Sequence, residues 1–196
     1  DRDVPNAEYV DVAKATVGGV CPKCGKHSLT IKNGIEVGNI FQLGRRYTES
    51  MGMTYDDEKG NRVNPIMGCY GIGVGRLMAS VCEEHHDQYG PVWPISIAPW
   101  EIEICALRAD QAHVKEEANK LYKSLMDEGY EVLFDDRTVS AGFMFSDADL
   151  LGSPVRIVIS PKTLDRGVVE IVTRDKTIKE DVPLECAMQR TKEIVA

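Results

Sequence analysis

The second half of the chain alternates between strand-like and helix-like spacing of apolar residues. Alternating or β-branched runs predict four strands, over residues 101–107, 130–134, 155–160 and 168–173. Two turns rich in glycine and proline, at Gly129 and at Gly152 with Pro154, separate these runs from the helical segments. The order of elements is strand, helix, strand, helix, strand, strand, helix, which predicts an α/β sandwich of roughly 100 residues.

Three helices are predicted in this half. The first follows a predicted cap at Asp110 and ends near Gly129, and its apolar stripe comprises Val114, Ala118, Leu121, Tyr122 and Leu125. The second is predicted over Ser140–Leu151. The third opens at Asp181 and Pro183, with an apolar side made of Leu184, Ala187, Met188, Thr191 and Ile194.

The first half lacks this regular alternation. Strand-like runs cover residues 8–12, 28–32 and 35–43, and a glycine-rich turn precedes one short helix predicted over Arg76–Glu84. The pattern predicts antiparallel sheet with too little helical cover to bury both faces, so we expect a piece of a larger domain. The run from Gly90 to Trp100 contains three prolines, which interrupt a helix and predict a domain boundary near residues 96–100.

Composition narrows the class of protein. The 196 residues carry a formal net charge of −8, which argues against indiscriminate binding to DNA or anionic membranes. Residues 154–179 are an exception, with six Lys or Arg against three Asp or Glu. The six cysteines are too sparse for a disulfide framework, and no apolar run is long enough to span a membrane. No secretory signal is visible, and these features favour a cytoplasmic protein.

The stretch from Met67 to Met78 contains four glycines within eight residues, followed by an arginine at the start of the predicted helix. It matches neither the dinucleotide-binding fingerprint nor the P-loop. A guanidinium in this place can stack on a purine or hold a phosphate. The alternative is a tight glycine packing motif in which Arg76 is an ordinary surface charge.

Residues 35–44 form a second stretch that could bind a ligand. On a regular strand, Glu36, Ile40 and Gln42 share one face, and Asn39 and Phe41 share the other. A buried Glu or Gln is costly unless it is hydrogen-bonded or binds a ligand. An edge strand with one solvated face explains the pattern equally well.

A cysteine pair, Cys21 and Cys24, is followed by His27 and resembles half of a zinc knuckle. A structural zinc site needs four ligands, and the other cysteines are isolated. We therefore expect a reduced thiol pair in a surface turn and no bound metal.

Taken together, residues 38–44, 68–76 and 135–154 resemble class II prolyl-tRNA synthetases of bacterial type. Gly71-Ile72-Gly73-Val74-Gly75-Arg76 is similar to that family's motif 3. The resemblance implies an antiparallel-sheet catalytic domain followed by an α/β anticodon-binding domain with a mixed sheet. It divides the chain into the exit of an inserted editing domain (1–33), the C-terminal part of the catalytic domain (34–97) and the anticodon-binding domain (98–196).

The resemblance also implies site residues in the catalytic part. Arg76 would stack on the adenine of ATP, and Gly71 and Gly73 would let the strand pass under the nucleotide. The set near the ribose and Mg²⁺ would be Glu36, Asn39 and Gln42. A wall of the proline pocket would be formed by Phe41, Cys69 and Gly71. Because Glu36 and Asn39 cannot share one face of a regular strand, this set requires a bulge, which we predict at Gly38.

For the anticodon-binding part, the implied contacts are Asp136, Arg137, Arg156 and Lys162, with Phe143 or Phe145 as stacking surfaces. Alternatively, residues 135–137 cap a helix and form a surface ion pair, and the phenylalanines lie in the core. The sequence also departs from the family, with Asn39 where His is frequent and Met144 where Lys is common.

The implied partners are proline, ATP and the tRNA for proline, and full-length members of this family are homodimers. Motifs 1 and 2 of the family have no counterpart in these residues, so we expect the chain alone not to aminoacylate. Two other functions stay open from the sequence: a stand-alone RNA-binding module without catalysis, and a small zinc-ribbon protein that binds nucleotides.

Overall fold

The computed structural model describes residues 14–196; the strand predicted over residues 8–12 lies outside them. In the first half the elements are β1 (Gly38–Gly44), α1 (Arg46–Ser50), β2 (Tyr55–Asp56), β3 (Arg62–Val63), β4 (Met67–Ile72), α2 (Val74–Glu84), β5 (His86–Asp87) and β6 (Gly90–Pro91). The second half contains β7 (Ile102–Ala106), α3 (Ala112–Asp127), β8 (Val132–Asp135), α4 (Ala141–Leu151), β9 (Val155–Ile159), α5 (Pro161–Leu164), β10 (Val168–Thr173), β11 (Lys179–Pro183) and α6 (Ala187–Val195). Short 3₁₀ turns cover Ile95–Ile97 and Leu184–Cys186.

The second half forms one five-stranded mixed sheet in the order β11-β10-β9-β7-β8. Strand β7 runs parallel to both of its neighbours, β8 and β9, whereas β10 is antiparallel to β9 and β11. Helix α3 connects β7 to β8, and helix α4 connects β8 to β9, as is usual for crossovers between parallel strands. The predicted α/β class with a mixed sheet is confirmed.

Helices cover both faces of this sheet and create two clusters of buried side chains. The larger cluster places the apolar stripe of α3 and residues of α6 against Ile102, Ile104 and Ile157. The smaller cluster lies under α4, where Met144 and Ala148 meet Cys105 and Val158. The predicted stripe of α3 is confirmed, since four of its five members are buried and Tyr122 packs beside them.

The helix ends follow local chemistry. The Ser140 hydroxyl accepts a hydrogen bond from the Phe143 backbone N–H and caps α4, which ends at Gly152 in the left-handed conformation (φ 78°). The predicted cap at Asp110 is wrong. Its carboxylate instead accepts two hydrogen bonds from Arg108, and Gln111 occupies the cap position without a side-chain bond.

The first half is built of small two-stranded units. β1 and β4 form an antiparallel ribbon, and β2 with β3 and β5 with β6 form short hairpins. The strand predicted over residues 28–32 is not formed; in this region a single bridge joins Val20 and His27. The helix predicted to begin at Arg76 begins two residues earlier, at Val74. Arg76 therefore lies in the first turn of α2.

The last helix was predicted to open at Asp181, but that residue lies in β11, and the helical part begins with the 3₁₀ turn at Leu184. Within residues 14–196, no helix is both long and apolar enough to cross a membrane.

Candidate functional site

A shallow cavity of about 280 Å³ lies between the start of β1, the end of β4 and the first turn of α2. Five of the predicted site residues line it: Glu36, Asn39, Gly71, Gly73 and Arg76. The Arg76 guanidinium reaches back 40 positions in sequence, and its Nη1 donates to the Glu36 carbonyl oxygen at 2.7 Å. The Asn39 amide donates to Glu36 Oε1 at 2.6 Å, which orients this carboxylate.

The predicted bulge at Gly38 is wrong. Strand β1 begins at Gly38 and pairs regularly with β4 as far as Gln42; the irregularity lies between Gln42 and Gly44. Glu36 precedes the strand, so the alternation of faces does not apply to it, and it can meet Asn39 without a bulge. This is the physical reason why the two side chains share a cavity.

The strand register divides the remaining predicted residues between two faces of the ribbon. Phe41 pairs with Cys69, and Asn39 with Gly71, so these positions share one face. Gln42 pairs with Gly68 and points to the other face. The structure therefore does not bring Gln42 to the cavity that Glu36 and Asn39 line.

The glycines of the ribbon formed by β1 and β4 differ in the space around them. A Cβ atom on Gly71 would meet nothing within 4 Å, so that position leaves open space above the cavity. A Cβ on Gly38 would lie 2.9 Å from the Gly71 carbonyl oxygen, so tight packing explains Gly38. The tight contact thus lies at Gly38, outside the glycine-rich motif, and the space beside Gly71 is open.

In the second half, Arg137 is the centre of a charged network. It forms a paired contact with Asp135, at 2.7 and 2.9 Å, and its Nη2 also donates to Asp147 at 2.8 Å. The hydrogen bonds that Arg137 donates to Asp135 and then to Asp147 raise the pKa of Arg137, and the bonds to Asp135 lower the pKa of that carboxyl. The guanidinium also lies over the exposed Phe143 ring, 5.8 Å from its centre.

The other predicted anticodon contacts are in three different environments. Arg156 is 15% exposed, its Nη1 donates to Asp149 at 2.9 Å, and its guanidinium lies 4.9 Å from the centre of the Phe145 ring. Asp136 is exposed and lies 3.6 Å from the Lys115 ammonium. Lys162 is exposed in the last turn of α5. Arg156 therefore ties α4 to the sheet, whereas Asp136, Arg137 and Lys162 stand at the surface.

Sequence reasoning missed Glu103, which is 1% exposed on β7. Its Oε2 has no hydrogen-bond partner among the described residues, and burial raises the pKa of this carboxyl to about 7. A charged residue inside a short apolar strand was the available signal. Period-two alternation would place such a residue in solvent, but helices cover both faces of this sheet, so the alternating position is buried too.

The pair of Arg137 with Asp135 agrees with the surface ion pair that the sequence offered as an alternative, but sequence reasoning missed the second partner, Asp147. Asp147 belongs to α4, one turn before the helix end, and it reaches the arginine from ten positions away in sequence. A guanidinium carries its N–H donors in one plane, so it can bind two carboxylates at once. The two contacts together fix the orientation of that plane.

All six cysteines lie within the described residues, and none of them is paired in a disulfide. Cys21 and Cys24 lie in a turn, and hydrogen bonds from the Cys24 and Lys23 backbone lower the pKa of the Cys21 thiol. His27 Nδ1 lies 3.0 Å from the Gly18 carbonyl oxygen. Residues 14–196 contain no cluster of three potential metal ligands.

Profiles of known protein families match both halves of the chain. The Anticodon binding domain profile matches residues 95–194, and the chain belongs to that family. The profile named tRNA synthetase class II core domain (G, H, P, S and T) matches residues 24–85. The chain thus joins a segment of a class II synthetase core to an anticodon-binding domain.

Individual relatives carry a more specific name than the two family profiles. A Proline--tRNA ligase from Dehalococcoides mccartyi is 47% identical over 96% of this chain, and one from Aquifex aeolicus is 44% identical over 98%. The chain covers 33% of each of these relatives. The predicted resemblance to prolyl-tRNA synthetases is confirmed by these relatives.

A solved structure shows the same fold. The Cryptosporidium parvum prolyl-tRNA synthetase, crystallised with halofuginone and AMPPNP, superposes with a TM-score of 0.69 at 22% identity. The match covers 81% of this chain and 33% of that one.

Proposed function

We propose that this chain supplies the C-terminal third of a proline–tRNA ligase, which activates proline with ATP and transfers it to the tRNA for proline. The observation that carries the proposal is the order of the two halves: a class II core segment runs directly into an anticodon-binding domain, with relatives of 40–47% identity named for this activity. The chain spans about a third of those relatives. Aminoacylation then needs the other two thirds.

In the core segment, Arg76 is the residue for the nucleotide. Its Nη1 is held by the Glu36 carbonyl, which leaves the flat face of the guanidinium for a purine ring. Gly71 keeps the adjoining space open, and Glu36 and Asn39 stand where a ribose would be bonded. Phe41 and Cys69, side by side on the ribbon, form the apolar wall for the proline ring.

The residues present also fit a magnesium nucleotide. Mg²⁺ is commonly bound by one or two carboxylates together with substrate phosphates, and Glu36 is the carboxylate that lines the cavity. The ion would neutralise phosphate charge. The chain's own residues would position the two substrates, and class II activation needs no protein nucleophile for the attack of the proline carboxylate on the α-phosphate.

In the second half, we propose that the anticodon meets Asp136, Arg137, Phe143 and Lys162. The Phe143 ring with Arg137 above it offers a stacking surface for an unstacked base. Asp136 can accept from guanine N1 and N2, and Lys162 can neutralise a phosphate. Arg156 acts indirectly, because its contacts to Asp149 and Phe145 hold α4 in place.

The test compares two anticodon stem-loops, one carrying UGG and one altered at both G positions. We expect the UGG stem-loop to bind at least tenfold more tightly, the effect of about 1.4 kcal/mol of base contacts. Lys162→Ala should weaken both RNAs alike, because phosphate contacts carry no sequence information. The matched control is Lys123→Ala, on the exposed side of α3. Equal affinity for the two stem-loops would refute anticodon reading.

The catalytic half has a separate test. Proline-dependent exchange of pyrophosphate into ATP should be undetectable with these 196 residues. Appreciable exchange would refute the proposal that the remaining two thirds of the enzyme are needed.

A further inference from the structure

The guanidinium of Arg174 is buried at the junction between the two halves of the chain. Its side chain is 2% exposed, and it bridges to Asp87 through Nη1 to Oδ2 at 2.8 Å and Nη2 to Oδ1 at 2.7 Å. Nη2 also donates to the Gly90 carbonyl at 3.1 Å, and Nε donates to the Asp149 carbonyl at 3.0 Å. One side chain therefore joins the β5–β6 hairpin, helix α4 and the end of β10.

The β5–β6 hairpin packs closely against the end of α4. A Cβ atom on Gly152 would lie 2.4 Å from the Pro91 carbonyl oxygen, so no larger residue fits between these segments. The Trp93 indole N–H donates to the Leu151 carbonyl at 3.0 Å. The Lys176 ammonium, two residues after Arg174, lies 4.3 Å from the centre of the Tyr89 ring and adds a further contact to the hairpin.

Each segment held by Arg174 leads to one of the candidate sites. Asp87 comes three residues after the end of α2, whose first turn carries Arg76. Asp149 lies in α4 two residues after Asp147, which holds Arg137. We propose that Arg174 is a positioning residue that fixes the β5–β6 hairpin, which directly follows α2, against α4, so that occupation of the anticodon surface is transmitted to the helix that carries the nucleotide-binding arginine.

An arginine is needed for this geometry. The fork of the guanidinium meets both oxygens of one carboxylate and still has Nε for a third segment, whereas a lysine offers a single point of charge. The pair stays ionised near neutral pH, because the hydrogen bond from Arg174 lowers the pKa of Asp87 and the reciprocal bond raises that of Arg174.

The first experiment measures hydrogen exchange in the whole chain. The Val92 amide donates to the His85 carbonyl at 2.8 Å and reports closure of the hairpin. Arg174→Lys should accelerate its exchange about tenfold or more, because buried charge-assisted bonds are lost, while the amides of β7 keep their rates. Asp87→Asn breaks the pair from its more exposed side and should act in the same direction. Arg166→Lys is the matched control, since Arg166 binds Asp181 at 2.7 Å away from the hairpin.

The second experiment measures coupling. Saturation with the UGG stem-loop should slow exchange within Val74–Glu84 in the unmodified chain and in Arg166→Lys. In Arg174→Lys this slowing should disappear although the stem-loop binds with unchanged affinity. A purely structural role would lower stability without removing the RNA response.

Unchanged hairpin exchange in Arg174→Lys would overturn the proposal, and so would an RNA response that survives in this variant or is missing from the unmodified chain. If the stem-loop does not bind the unmodified chain, anticodon reading fails and the coupling role fails with it. The hairpin measurement then still decides whether Arg174 holds the two halves together.

Discussion

The two halves of the chain differ sharply in how they are stabilised. Among residues 14–97, only Thr48 is buried, and large apolar side chains such as Ile40 (82% exposed) and Tyr70 (84% exposed) face solvent. In residues 98–196, a five-stranded sheet buries isoleucines, valines and leucines on both faces. The second half contains its own core, whereas the first half has almost none.

The difference in burial shows that the two halves are stabilised by different contacts. A two-stranded ribbon is at best marginally stable alone, because it cannot bury enough apolar surface to offset its conformational entropy. The ribbon of β1 and β4 nevertheless arranges the side chains of the candidate nucleotide site. Since the chain covers only 33% of its relatives, we infer that in a protein of their length the apolar faces of the ribbon pack against residues outside this chain.

The largest effect should come from the core of the second half. Ile104→Ala should lower the free energy of unfolding by about 3 kcal/mol, because it removes a fully buried side chain and leaves a cavity. Ile40→Ala, the matched change in the ribbon, should alter it by less than about 0.5 kcal/mol. Urea denaturation of both variants measures the difference. A large loss with Ile40→Ala would show that the ribbon is packed in this chain, contrary to the contrast drawn above.

The second effect concerns Glu103 and pH. Below its ordinary pKa of 4.5, the carboxyl is protonated in both the folded and unfolded states and contributes nothing. Between pH 4.5 and about 7 the unfolded chain releases a proton that the folded chain keeps, so stability falls as pH rises. Above pH 7 this cost stays constant at about 3 kcal/mol.

Glu103→Gln should therefore remove this downward slope, although the variant's stability at low pH can differ from that of the unmodified chain. The measurement is urea denaturation at several pH values from 4 to 8. Glu116→Gln, an exposed change on α3, is the control and should leave the slope unchanged. An identical pH dependence for Glu103→Gln and the unmodified chain would show that Glu103 keeps an ordinary pKa.

A smaller effect is expected at the start of α4. Ser140→Ala removes the hydroxyl that accepts from the Phe143 amide at 3.3 Å, and it should cost about 1 kcal/mol. Ser146→Ala in the same helix removes only an exposed bond to the Gly142 carbonyl and should cost less than about 0.5 kcal/mol. Thermal unfolding of the two variants separates them, and equal shifts would mean that the cap does not stabilise α4.

The same contrast explains which parts of the fold could be predicted. The helix α3 and the strand β10 follow from periodicity because their apolar positions meet a core. Strand β11 was missed because it lies at the sheet edge, where Val182 is its one buried residue and four polar or imino residues surround it. Asp110 failed as a helix cap because the neighbouring Arg108 binds its carboxylate.

The candidate sites were predictable in part. The motif around Gly71 and Arg76 identified one wall of the candidate cavity, but the bond from Arg76 to the Glu36 carbonyl spans 40 residues and leaves no local pattern. The ion pair between Arg174 and Asp87 joins residues 87 positions apart, and neither residue interrupts an apolar run. Long-range contacts of polar groups are set by the tertiary fold, and periodicity does not report them.

The most direct test of the account is stem-loop binding by residues 95–196 alone, compared with the whole chain. We expect the shorter protein to fold, because its core is complete, and to prefer the UGG stem-loop over the altered one by the same ratio as all 196 residues. If the shorter protein is folded but loses this preference, or if neither protein shows it, the claim that the second half reads the anticodon on its own is contradicted.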